Sequence, residues 1–503
     1  MEDRRAHPLL YQFNTRVLLH ELATRLHRPA TLDDIADRTL DHIAESGFAL
    51  VWPLGVWRTS PASRAVSLAD AALRREAQAA LPDLDDTDIV GSPFAISAYE
   101  VRPEWGGNQA LQRLRERLSR RGLRLLLDFV PNHTGLEHVW LEEHPEYYVH
   151  GTADDLAREP RNYTRVRSRG RDLVLAHGRD PYFPGWPDTL QLDYRHAGLR
   201  AAMRQQLARV SSMCDAVRCD MAMLLQPDVF ARTWHDRPPP ADGSTPVQAP
   251  FWSEAIAAVR KLQPGFVFMA EVYWGREWEL QQEGFDYTYD KELYDRLRAG
   301  LGHHAREHLL ADPLYQTRSA RFLENHDEPR AAAVFPLEIH RAAAVVTFLV
   351  PGLRFIHEGQ LEGRKVRVSM HVGRRPEEAP DPEVQDFYAR LLACLRRREV
   401  HDGQWSLWAC RPAWEGNQSH LDMIVMSWVL GERRLLAAVN YAPHGGQCYV
   451  TLDLPDLAGR QFALSDLMGS ACYERDGTGL RTNGLYLDLP AWGSNVFEIR
   501  ELR

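Results

Sequence analysis

Three carboxylates each close an apolar run: Asp220 in "AVRCDMA" (216–222), Glu271 in "FVFMAEVYW" (266–274) and Asp327 in "ARFLENHD" (320–327). One acid at the end of such a run is unremarkable, because strand ends meet solvent. Three, accompanied by Arg218, His133 and His326, call for chemistry. Side chains of a strand alternate faces, so Arg218 and Asp220 point one way while Val217, Cys219 and Met221 point the other. A cation on the same face favours the ionised form of Asp220, as a nucleophile requires. Glu271 has apolar and aromatic neighbours on both sides, and desolvation favours the protonated form that a general acid needs. Two carboxyl groups with separated pKa values divide the labour of a retaining glycosidase, in which they stand about 5–5.5 Å apart across the scissile bond.

These residues must be positioned by the elements that carry them. Short apolar runs recur over the first 400 residues, the clearest being "FALVWPL" at 48, "LRLLLDFV" at 123, "AVRCDMA", "FVFMAEVYW", "ARFLENHD" and "LRFIHEG" at 353. Helix-like stretches lie between them. In "NQALQRLRERLSRRG" (108–122), Leu111, Leu114 and Leu118 recur at helical spacing and Gly122 marks the end. Strands alternating with helices predict a parallel sheet, doubly wound or closed into a barrel. The polar residues cluster at the C-terminal ends of the runs: Asp128, Asn132 and His133; Arg218 and Asp220; Glu271; His326 and Asp327; His357 and Glu358. Converging strand ends are what a barrel site uses, and no glycine-rich phosphate loop follows any run, which disfavours the doubly wound reading.

The expected fold is therefore α/β, a (β/α)8 TIM barrel formed by residues 1–133 and 201–398. The Pro-, Gly- and Tyr-rich stretch 134–200 reads as a small domain inserted after strand 3. Residues 399–503, with "DMIVMSWVL", "RRLLAAVNYA", "QCYVTLDL" and "GLYLDL" separated by turn residues, read as a C-terminal antiparallel β-sandwich. Residues 58–92 form a long excursion expected over the mouth of the site, with "LDDTD" (84–88) as a solvated loop.

Composition narrows the partners. A chain of 503 residues with 44% hydrophobic content can bury a large core, and a net charge of −9 argues against nucleic acid. No run of 18 apolar residues is present and the N-terminus lacks an apolar signal segment, so no membrane partner and a cytoplasmic location are expected. The six cysteines are scattered with no C-x-x-C, which predicts neither a disulfide framework nor a zinc site. His304 and His308, four apart, are expected on an exposed helical face. Trp52 is expected in the core, whereas Trp57 and Trp105 are as compatible with lining the site as with packing.

Four motifs, "DFVPNH" (128–133), "VRCDMA" (217–222), "AEVYW" (270–274) and "ENHDEPR" (324–330), resemble in order and spacing those of the α-amylase superfamily of retaining glycoside hydrolases and transglycosylases. "GSPFAISAYEVRPEWGG" (91–107) resembles the segment after that family's second strand. The resemblance implies Asp220 as nucleophile, Glu271 as acid and then base, and Asp327 as a ligand of sugar hydroxyls. It implies substrate contacts from Arg218, His133, His326 and Phe94, the last where relatives stack an aromatic on the sugar. Asp128 and Asn132 are implied to be structural. The expected substrate is a small α-glucoside or α-linked oligosaccharide. Alternatives are glucosyl transfer or isomerisation on the same site, or a catalytically inactive scaffold of the same fold, disfavoured because all three acids are present.

The chain also departs from the pattern. Met223 and Leu224 stand where secreted calcium-dependent amylases have Lys-His, and Gln191 stands where they have an Asp. Asn132 alone is a poor ligand set for a cation that takes 6–8 oxygens. No metal or other cofactor is expected, calcium included.

Overall fold

Eight parallel strands close into a barrel in the computed structural model, which describes residues 6–234, 250–454 and 456–502. In chain order they are β1 (Leu9–Asn14), β2 (Leu50–Leu54), β3 (Arg124–Phe129), β4 (Ala216–Cys219), β5 (Val267–Ala270), β6 (Tyr287–Tyr289), β7 (Ser319–Arg321) and β8 (Leu353–His357). Around the ring, β1 pairs with β2 and with β8, which closes the sheet. The predicted α/β barrel is therefore the observed fold. Residues 1–5, on which the expectation of no signal segment partly rests, lie outside the described residues.

Two strands are weak in the sequence for physical reasons. β6 has only three residues, too few to show a period. β1 reads LLYQFN, whose Gln12 is fully buried among barrel side chains. A polar residue at 0% exposure has to be hydrogen-bonded, and Gln12 is, on both ends of its amide.

The strands start in the apolar floor and finish in polar groups. β2 is buried throughout, and Gly55 follows it in the left-handed region (φ 76°), where its N–H donates to Asp128 at 3.0 Å. A Cβ at Gly55 would meet Pro93 Cβ at 2.8 Å, so both backbone conformation and space call for glycine. Asn14, at the end of β1, caps α1 (Thr15–Leu26) by accepting from the N–H groups of Arg16 and Val17.

Between β2 and β3 the excursion builds two helices, α2 (Pro61–Ala69) and α3 (Ala71–Ala80). Asp70 separates them and caps α3 through the N–H groups of Ala72 and Leu73. In the expected solvated loop beyond α3, residues 85–87 are exposed, but Asp88 turns inward as a latch. Asp88 is buried and receives a two-pronged hydrogen bond from Arg374, Nε at 2.8 Å and Nη2 at 2.7 Å. Ile89 and Val372 form an antiparallel bridge, with Val90 N–H donating to His371 O and Gly373 N–H to Asp88 O, each at 2.8 Å. Ala77, Leu81 and Val372 make a small separate core beneath. Burying Leu81 and Val372 contributes about 1.5–3 kcal/mol each, against roughly 0–1 kcal/mol for an exposed ion pair such as Arg74–Asp86. Apolar burial with a shielded charge pair, rather than surface charge, holds the loops after β2 and β8 together.

After β3 the chain leaves the barrel. Strand His133–Gly135 pairs antiparallel with Thr189–Gln191, and a hairpin of Tyr163–Ser168 and Arg171–Ala176 stands beyond them. At the C-terminal end, a six-stranded antiparallel sheet faces a three-stranded one. Along Met423–Leu430 the residues alternate between two cores: Met423 and Val425 join the sandwich interior, whereas Ile424, Met426 and Trp428 join the barrel cluster. Burial on both faces explains the nearly continuous apolar run there.

Candidate active site

The barrel mouth holds a cavity of about 460 Å3, within the range of small-molecule sites. Asp220, Glu271 and Asp327 all line it, together with Arg218, His133 and Phe94. Of the seven residues expected at the site, only His326 is absent from the lining; it lies one layer behind.

Arg218 organises the floor. It is 1% exposed, with Nη1 2.7 Å from Asp220 Oδ1, Nη2 2.7 Å from Glu271 Oε2 and Nη1 3.9 Å from Asp128. Its guanidinium carbon lies 4.9 Å from the ring centre of Phe94 and 5.5 Å from that of Trp52. One cation thus serves both carboxylates, whereas the sequence suggested that Asp220 had it alone. Glu271 is also less apolar in its surroundings than its neighbours in sequence imply, because Met221 N–H and Tyr273 O–H each donate to it at 2.8 Å.

Burial pushes the pKa of Asp220, Glu271 and Asp327 above the usual carboxylate range, and the Arg218 charge opposes the rise in all three. Burial therefore outweighs the cation at Asp220, contrary to the sequence expectation. The three acids also raise one another, Asp220 and Asp327 acting on Glu271 and Asp327 on Asp220.

The supporting groups are mostly strand-end residues. Asp128 accepts from Gly55 N–H, and burial lifts it to about 6. His133 is lowered to about 4 by burial and stands 5.1 Å, ring centre to ring centre, from Trp186. His326 is lowered to about 3 by burial, so it is neutral at pH 7; its Nδ1 faces Gln12 Nε2 at 3.0 Å and its Nε2 is 3.1 Å from Asp327 Oδ2. Gln12 Oε1 in turn bonds His357 Nδ1 at 2.8 Å, so His357 buttresses the layer beneath the cavity. Asn325 Oδ1 accepts from the N–H groups of Asp327 and Glu328, fixing the turn that presents Asp327.

Gln12, Tyr273 and Arg367, whose Nη1 donates to Asp327 O at 2.6 Å, are site residues that sequence reasoning did not single out. A buried glutamine inside an apolar strand was the available signal for the first; nothing local marks Arg367. The aromatic expectations resolve toward packing. Trp52 and Trp57 are fully buried, Trp57 donating to Asp128 O at 2.7 Å, and Trp105 lies 5.1 Å from the Arg102 guanidinium, outside the cavity. His304 is exposed as expected, but His308 turns inward to Asp290 at 2.8 Å.

Of the six non-glycine residues with left-handed backbone among the described residues, two flank the acids: Met221 (φ 43°) follows Asp220, and Trp274 (φ 66°) lies three residues after Glu271. Such conformations cost on the order of 1–3 kcal/mol and collect at functional sites.

Gln191 fills the position where a calcium-ligating carboxylate was missed in the sequence. Its Nε2 stands 3.0 Å from Asn132 O, Asn132 Oδ1 and Leu192 O, while its Oε1 accepts from Asn132 Nδ2 at 3.2 Å. The oxygens there already accept N–H donors. Among the described residues no group of three His, Cys, Asp or Glu is placed to hold a metal.

Residues 93–294, which contain the floor from Phe94 to Glu271, match the alpha-amylase catalytic-domain model. Over that stretch the chain is similar to the catalytic domain of alpha-amylases. Alpha-amylase MalA of Haloarcula japonica is 25% identical over 306 residues, 59% of this chain and 39% of the relative. An alpha-glucosidase of Culex pipiens is 30% identical over 121 residues, 22% of this chain and 20% of the relative. The chain thus spans about two fifths or less of these curated relatives. The alpha-amylase fold extends over the whole molecule: the maltogenic alpha-amylase AmyB of Thermotoga neapolitana superposes with a TM-score of 0.68 at 17% identity, covering 99% of both chains.

Proposed function

We propose that this chain is a retaining α-glycosidase of the alpha-amylase family acting on small α-glucosides or maltooligosaccharides. The observation that carries the reading is the single arginine clamped between two buried carboxylates, with a third acid on the same cavity. Asp220 attacks the anomeric carbon and forms a glycosyl ester while Glu271 transfers its proton to the departing glycosidic oxygen. Glu271, now ionised, takes a proton from water, which attacks the same carbon and releases Asp220 as carboxylate. Asp327 accepts hydrogen bonds from sugar hydroxyls as charge develops on the ring, and His133 and Phe94 border the same sugar. Asp220→Asn is expected to lower turnover of an aryl α-glucoside by at least about 10⁴-fold. Wild-type protein inert toward every α-glucoside tried would revive the scaffold reading.

Glucosyl transfer shares the first half-reaction, and one observation favours it. Trp274, 40% exposed, stands beside the site edge-on to exposed Tyr182, 4.9 Å between ring centres, a surface suited to a sugar acceptor. Chromatography of products from maltose and maltotriose separates the two: glucose and shorter chains mean hydrolysis, longer or isomeric chains mean transfer.

The interlocked Gln191 and Asn132 amides support a site that works without calcium at that position. No helix among the described residues is long and apolar enough to cross a membrane, and the six unpaired thiols support a reducing, cytoplasmic setting.

A further inference from the structure

The cavity is unevenly enclosed. Around the ring, the loops after β8, β2 and β3 meet on one side of the acids and are tied to each other. Ser67 Oγ bonds His371 Nδ1 at 2.9 Å, joining α2 to the loop after β8. Ser63 Oγ donates to Asp188 Oδ2 at 2.6 Å and accepts from Ser92 N–H at 2.9 Å, joining α2 to the inserted segment and to the loop that presents Phe94. Arg367 bonds Glu76 of α3 and also holds Asp327 O. The faces of this assembly turned to the cavity are Val66, Ser67 and Asp70, Leu73 of α3, and Met370 and His371. Beneath them the Asp88–Arg374 pair and the Ala77, Leu81 and Val372 core fix the assembly in place.

Glu271 lies across the ring, directly after β5. A general acid has to reach the oxygen of the departing group, so the leaving portion of a substrate runs out past Glu271, Tyr273 and Trp274. The portion on the far side of the anomeric carbon then points at the tied loops. On the Glu271 side the ties, Arg276 to Asp228 and Arg232 Nη1 to the Tyr182 hydroxyl at 2.7 Å, join residues that do not line the cavity.

From this asymmetry we infer that the α2, α3 and His371 wall closes the cavity beyond the sugar being cleaved, so the enzyme works from the free non-reducing end of an α-glucan and does not cut within it. The inference rests on the proposed glycosidase activity and adds the direction of attack. Internal cleavage would need a groove continuing past Leu73 and Met370, where the structure places a hydrogen-bonded wall instead.

The test uses two maltooligosaccharides of equal length with the same chromogenic aglycone, one with a free non-reducing end and one blocked there by a 4,6-O-acetal, beside a simple aryl α-glucoside. The wild-type enzyme is expected to cleave the aryl glucoside and the free-ended chain, and to cleave the blocked chain at least about 100-fold more slowly. The double substitution Leu73→Ala with Met370→Ala is expected to raise the blocked-to-free rate ratio at least about tenfold. Wild-type cleavage of the blocked chain within tenfold of the free one would overturn the wall while leaving the glycosidase reading intact. No cleavage of any of the three, aryl glucoside included, would remove the glycosidase reading and the inference with it. If the double variant does not fold, the wild-type ratio alone decides.

Discussion

The floor and the rim of the cavity are built on opposite plans. The floor takes its charges from the C-terminal ends of neighbouring strands, and one arginine bridges residues that the barrel brings together by its own closure. The rim is assembled from excursions with no strand to register them, and it is held by pairs such as Asp88 and Arg374 that are 286 residues apart. Chemistry is therefore fixed by the part of the fold that cannot move without opening the barrel, whereas selection of substrate is left to loops that can be re-tied.

If that contrast is real, disturbing the floor should change how the reaction titrates. Tyr273→Phe removes a donor to Glu271 while leaving the ring that borders the cavity. The hydroxyl stabilises the ionised acid, so its loss should raise the pKa of Glu271 further. The alkaline limb of kcat/KM is then expected to move to higher pH, by up to about one unit, with a several-fold change at most in the plateau. A residue that merely filled space would lower the plateau and leave the limb where it was, so an unmoved limb counts against the hydrogen bond.

The rim should respond in stability rather than in pH profile. Arg374→Ala leaves Asp88 buried without its two-pronged partner, at a cost of about 1–3 kcal/mol. Thermal unfolding is expected to begin about 1–3 degrees lower while the pH limbs stay fixed. A shifted limb with unchanged stability would mean that rim and floor are electrically coupled and the division drawn above is wrong.

How much was legible follows from the same contrast. Asp220, Glu271 and Asp327 stand at the ends of apolar runs, so strand periodicity alone marks their placement, and their convergence follows from the barrel. What periodicity does not carry is sharing: that Arg218 serves Glu271 as well as Asp220 depends on the β4–β5 register, Arg218 lying opposite Met269. Gln12 was hidden because one buried polar side chain lowers the apolar score of a short strand. Asp88 read as solvated because its partner, Arg374, follows the last barrel strand. His308 failed for the same reason, its partner Asp290 lying on another element. Residues satisfied by distant partners look surface-like in sequence, and the rim consists of little else.

The smallest expected effect concerns calcium, and it tests whether the inserted segment is held by protein groups or by an ion. A cation at this position would need oxygens that are free, yet Gln191 Nε2 stands 3.0 Å from three of them, and an amide nitrogen facing a cation is repulsive. A bound ion at 100 times its dissociation constant would add about 2.7 kcal/mol to stability, enough to move thermal unfolding of a chain this long by about 2–3 degrees. Unfolding and aryl-glucoside turnover are therefore expected to coincide, within about one degree, in calcium and in chelator. A calcium-dependent rise of about 2–3 degrees would show that the amide pair opens to admit the ion, and the inserted segment would then belong with the re-tied loops of the rim rather than with the fixed floor.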